Sequence, residues 1–70
     1  MIPDSCQWRP WLHGPALYLG ADRVATVSRM PTGGARVTFC PPGALMFRHE
    51  FFPSLASAMC ATEEWAATKW

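Results

Sequence analysis

Charge is scarce in this chain. Only 16% of its 70 residues are Asp, Glu, Lys or Arg, and Lys occurs once, at Lys69. The net charge of +1 gives no global argument for a nucleic acid or a membrane surface as partner. Cysteine is sparse: Cys6, Cys40 and Cys60 form an odd set with no Cys-x-x-Cys spacing. That excludes a disulfide framework and the usual signature of a structural zinc site. His13 and His49 are too dispersed to complete such a site, so no metal or other cofactor is expected. No apolar run approaches the ~20 residues of a membrane-spanning helix. The segment Met1–Cys6 lacks the basic and apolar regions of a secretion signal. The expectation is a cytoplasmic protein with reduced, packed thiols and no membrane partner.

Patterns that carry catalysis are missing too. Glu63 and Glu64 are adjacent on a predicted helix, so they point about 100° apart and cannot act as a carboxylate pair. Gly33-Gly34 reads as a turn between strands, whereas a phosphate-binding loop joins a strand to a helix. Cys and His without a third group to orient the base do not make a nucleophile. A chain this short also has little room for a deep pocket. The expectation is a protein that is not an enzyme.

What the chain has in quantity is apolar surface. Half of its residues are hydrophobic and four are Trp. That predicts a folded domain, although one this small buries only about 60% of its unfolded surface. The low charge leaves an apolar exterior, which suits a monomer with a protein partner or a homodimer.

The clearest element is a helix over residues 54–69. Ser54 is a good N-cap and Pro53 stands just outside. No Gly or Pro follows, and Ala, Leu, Met and Glu favour helix. Leu55, Ala58, Met59, Thr62, Trp65, Ala66 and Trp70 recur at spacings of three and four, which makes one face. Its small residues allow close approach to a sheet. A lone helix of this length is marginal in water, so the stripe must cover something.

Residues 16–40 supply it. Ala16–Gly20, Arg23–Arg29 and Ala35–Cys40 alternate as strands, separated by turns at Gly20–Asp22 and Met30–Gly34. Ala44–His49, after the Pro41-Pro42-Gly43 break, is predicted as a fourth strand with Leu45 and Phe47 inward. Residues 1–15 read as an extended, irregular arm because of Pro3, Pro10, Gly14 and Pro15, with Trp8 or Trp11 closing one edge of the core. The domain proper is then 16–70. The fold class is α+β: a three- or four-stranded antiparallel meander packed against one C-terminal helix. The expected core is Leu17, Leu19, Ala25, Val27, Val37, Phe39, Phe47, Leu55, Met59 and Trp65.

In such a two-layer domain the far face of the sheet stays uncovered. Tyr18, Arg23, Thr26, Ser28, Arg29, Arg36 and Thr38 are the candidate contact residues, with Val24 a further candidate for that face. Residues 23–49 carry Arg23, Arg29, Arg36 and Arg48 with no acid before Glu50. The sheet is therefore basic and the helix mildly acidic.

The order of features resembles small phage- and prophage-encoded proteins of the anti-CRISPR and host-takeover type. The residues that carry it are Trp8-Arg9-Pro10-Trp11, Leu19-Gly20, Val24–Val27, the Gly-Gly turn, Arg36–Phe39, and Phe52-Pro53-Ser54-Leu55 through Glu64-Trp65. The resemblance covers residues 8–66, and its motifs are structural. Pro53 and the Pro-Pro-Gly break depart from it. It implies an inhibitor that occupies a surface of a host protein or nucleoprotein complex inside a bacterium. The same order is similar to integrase-type DNA-binding modules, a three-stranded sheet on one helix. That alternative implies Arg23, Arg29 and Arg36 on phosphates or guanine, although such modules carry more Lys and Arg.

Overall fold

The computed structural model describes residues 4–43 and 46–70. The chain folds as β1 (Cys6–Trp11), β2 (Gly14–Leu19), β3 (Asp22–Arg29), β4 (Ala35–Phe39), β5 (Arg48–Phe52) and α1 (Leu55–Lys69). The five strands form one antiparallel meander in sequence order, and α1 packs across β3, β4 and β5. The class is α+β, with five strands where three or four were expected.

The additional strand is β1. Prolines made residues 1–15 read as an irregular arm, yet from Cys6 onward the chain pairs with β2 along its whole length. Pro10 and Pro15 face each other in that register, so both missing N–H groups fall on one residue pair. β1 is also an edge strand, where Pro is tolerated. Gly14 opens β2 so close to β3 that a Cβ there would collide with the Val27 carbonyl oxygen.

The strand expected at 44–49 lies at 48–52, and Leu45 falls outside the described residues. Phe47 is not in the core but 66% exposed. It precedes the strand, and within β5 Phe52 opposes buried Ala35 and Glu50 opposes Val37, so the even-numbered positions of β5 face the helix side.

The core forms where the sheet meets α1. Leu17, Ala25, Val27, Val37 and Phe39 are buried as expected. Leu19, Leu55, Met59 and Trp65 pack around them, joined by Trp8 and Phe52. Each large apolar side chain fully buried here contributes roughly 1.5–3 kcal/mol. Val24, a candidate for the solvent face, is instead completely buried. Leu17 opposes Ala25 while Tyr18 opposes Arg23, so Val24 is the extra residue of a β-bulge and strict alternation fails there.

The helix is set by its cap and its spine. Ser57 N donates to Ser54 Oγ at 3.1 Å, and Ser54 N donates back to Ser57 Oγ at 3.3 Å. This is a capping box with Ser in the usual place of Glu. Ala58, Thr62 and Ala66 form the buried spine, small enough to bring the helix against the sheet. The Thr62 hydroxyl donates to the Ala58 carbonyl at 2.7 Å, so its burial leaves no orphan. Trp65 fills the space beyond, 4.8 Å from Phe39 and 5.4 Å edge-on from Trp70, centroid to centroid. Trp8 closes the β1 edge of the core, donating from Nε1 to Glu63 at 2.8 Å.

Candidate functional site

The sheet face turned away from α1 is shaped by side-chain size. Ala16 opposes Thr26, Thr26 opposes Thr38, and Thr38 opposes His49. The next row places Ser28 opposite Arg36, and Arg36 opposite Phe51. Small residues thus make a floor, and Ala16 and Thr26 are buried although no helix covers them. Large side chains make the walls. Between them lies a depression of about 260 Å³ whose lining includes Thr26, Ser28 and Thr38, with Arg23, Arg36, Trp11 and Phe47 around it. His13 and Cys40 complete the lining.

The electrostatics of this face follow from where the acids went. Asp22 opposes Leu19 and Glu50 opposes Val37, both in rows that face the helix side. Glu63 and Glu64 are on α1, and Asp4 is in the turn before β1. No acidic side chain therefore occupies an outer-face strand position among the described residues, while Arg9, Arg23, Arg36 and His49 do. A chain of net charge +1 presents one cationic face because its strand and helix acids all lie on the helix side, where Arg29, Arg48 and Lys69 offset them, while Arg9, Arg23 and Arg36 stand on the outer face without a counter-charge.

Two of the cations are held on aromatic rings. The Arg23 guanidinium lies 4.1 Å from the Trp11 ring centroid, and that of Arg9 lies 4.9 Å from Tyr18. Such stacking fixes a guanidinium without using its N–H donors. Arg9 also donates to Gln7 Oε1 at 3.2 and 3.3 Å. Arg36 Nε is buried with no hydrogen-bond partner among the described residues, an uncompensated donor beside the depression. Thr38 Oγ1 and His49 Nδ1 share a 3.0 Å hydrogen bond whose direction depends on the tautomer.

Cys40 is the thiol nearest this chemistry. Burial pushes its pKa up, with Arg23 partly opposing the rise, and Sγ donates to the Arg23 carbonyl oxygen at 3.2 Å. A neutral thiol engaged as a donor is a poor nucleophile. Among the described residues no three His, Cys, Asp or Glu side chains converge as metal ligands. No described helix is long and apolar enough to cross a membrane.

Of the candidate residues, Arg23, Thr26, Ser28, Arg36 and Thr38 meet at the one depression. Tyr18 stands beside it under Arg9. Arg29 does not join them, because it opposes core residue Ala35 and belongs to the helix-side row. Trp11, His13, Cys40 and Phe47 were not among the contact candidates. A strand at 6–11 puts Trp8 and Trp11 on opposite faces, a signal hidden by the prolines.

A second hollow of about 180 Å³ lies on the helix side, between Phe39, Arg48, Trp65 and Lys69. There Arg48 covers Phe39 at 4.8 Å and Lys69 covers Trp65 at 5.6 Å, so it reads as the seal of the core. Comparisons with protein-family models, with curated proteins and with solved structures find no match to this chain.

Proposed function

We propose that this chain is a small, non-enzymatic binding protein that docks the outer face of its sheet onto an anionic partner surface. The observation that carries the reading is the placement of charge: among the described residues, a face with Arg9, Arg23 and Arg36 and no acid, holding one arginine donor without a hydrogen-bond partner. Following the resemblance in element order, the partner is a host protein or nucleoprotein complex in a bacterial cytoplasm, and binding inhibits it by occupying its surface. The phage-type origin rests on that resemblance alone.

The second reading is direct binding of nucleic acid through the same face. It gains from the aromatic rings beside the arginines, since stacking and phosphate contact often occur together. Arg29 drops out of its contact set of Arg23, Arg29 and Arg36, and Arg9, on the same outer face, joins the remaining two.

One set of variants tests both. Arg23→Glu/Arg36→Glu reverses the outer face, and Lys69→Glu changes charge on the helix. Capture of a nuclease-treated bacterial complex that fails with the first variant and persists with the second supports the inhibitor reading. A titration with labelled single-stranded and duplex oligonucleotides at two salt concentrations tests the other, because affinity resting on phosphate contacts falls steeply with salt. Capture unaffected by the double reversal overturns the assignment of the face.

A further inference from the structure

Among the described residues β5 (Arg48–Phe52) is the last strand of the sheet, paired with β4 on one side only. An unpaired strand edge is a template for another chain, and proteins usually blunt it with proline, charged side chains (lysine above all) or a bulge. The opposite edge is blunted by Pro10 in β1. β5 has no proline, lysine or bulge: its sequence is Arg-His-Glu-Phe-Phe, its register with β4 runs without a shift, and its two charged side chains, Arg48 and Glu50, are of opposite sign, so a second antiparallel copy can match them where a foreign strand need not. Residues 48–51 are all exposed. Large apolar side chains gather at the same edge, with Met46 83%, Phe47 66% and Phe51 68% exposed.

The geometry points to a second copy of this chain as the occupant, joined antiparallel along β5 about a two-fold axis through His49. A two-fold perpendicular to the sheet keeps every side chain on its own face, so residues opposite one another must share a face. That condition allows only a few registers. Centring on Glu50 sets the carboxylate against its own copy, and like charges directly opposed are destabilising. Centring on Phe51 sets Glu50 against Phe52. Centring on His49 sets each Arg48 against the second copy's Glu50 and each Phe47 against its Phe51. Of these three, it is the register that matches opposite charges and pairs the exposed aromatics.

The side chains already lie on the faces this needs. Arg48 and Glu50 oppose Phe39 and Val37 on the helix side, whereas His49 and Phe51 oppose Thr38 and Arg36 on the outer side. Phe47 borders the outer depression. Within one copy Arg48 and Glu50 form an exposed 3.4 Å ion pair, which the dimer extends into a cross-strand network. The product is one continuous sheet of twice the width, with both cationic faces on the same side. The inference does not depend on the proposed partner.

Sedimentation velocity on the intact chain tests it, with far-UV circular dichroism to show that each variant is folded. At micromolar to sub-millimolar concentration the wild type should sediment at twice its 7.8 kDa mass. Arg48→Glu and Glu50→Arg should each fall to the monomer mass, and the double exchange Arg48→Glu/Glu50→Arg should recover the dimer. In a Cys60→Ser background, which removes the exposed native thiol, His49→Cys should form a symmetric disulfide on oxidation. A wild type that stays monomeric overturns the proposal, as does a dimer untouched by either single reversal. A double exchange that stays monomeric, or His49→Cys that does not cross-link, overturns the register.

Discussion

Ala58→Leu is the sharpest test of how the helix meets the sheet. Ala58 has no exposed surface and lies on the Ala58–Thr62–Ala66 spine. Extra carbons there must push α1 away from the sheet or force neighbouring side chains off their rotamers, at a cost of about 1–3 kcal/mol. Marginal stability of about 0.05–0.15 kcal/mol per residue gives a 70-residue chain only about 3.5–10 kcal/mol in total. With a urea m-value near 1 kcal/mol/M for so small a protein, the midpoint should fall by about 1–3 M. Unfolding followed by tryptophan fluorescence reads this directly, since Trp65 stacks against Phe39. Ala67→Leu, on the exposed side of the same helix, is the control and should move stability by no more than about 0.5 kcal/mol. If Ala58→Leu keeps the wild-type midpoint, the spine is not a close-packed contact and the two-layer account is wrong.

Three further outcomes follow from named contacts. Ser54→Ala removes the acceptor of Ser57 N and should cost about 1 kcal/mol in the same urea experiment. Gly14→Ala places a methyl group against the Val27 carbonyl and should cost more than about 1 kcal/mol; a neutral result would show β2 free to shift. Burial raises the Cys40 thiol above its ordinary value of 9.0, so the folded chain holds that proton to higher pH than the unfolded chain. The stability linked to it is full below the unfolded value and is lost as pH rises through the folded one. The difference in urea midpoint between wild type and Cys40→Ala should therefore change through alkaline pH and stay flat below neutrality.

Much of the fold is legible in the residues because local signals agree there. Ser54, the Ala-rich run and the spacing of Leu55, Met59 and Trp65 all specify one helix. Val27, Val37 and Phe39 alternate without interruption and all three are buried. The misreadings fall where two signals conflict. Pro10 and Pro15 argue against a strand one residue at a time, and only their pairing across β1 and β2 removes the objection. Val24 sits on a bulge, which shifts parity without any residue to mark it. Phe47 and Phe52 are both aromatic, and the placement of β5 at 48–52 decides between them: Phe47 precedes the strand and is exposed, while Phe52 packs partly buried against the core. The contact face was visible as a set of alternating polar residues, and most of them do line one depression. Its basic character was legible in the run of arginines from Arg23 to Arg48, but not their faces: Arg29 and Arg48 fall on the helix side, and Arg9 joins the outer face only because residues 6–11 form a strand.

The direct measurement is a ¹H–¹⁵N chemical-shift titration of the whole chain with a short oligonucleotide as a polyanionic probe. The account predicts perturbations gathered at Arg9, Trp11, Arg23, Thr26, Arg36 and Thr38, saturable and weakened by salt. Perturbations centred on α1, or spread evenly over both faces, would contradict it.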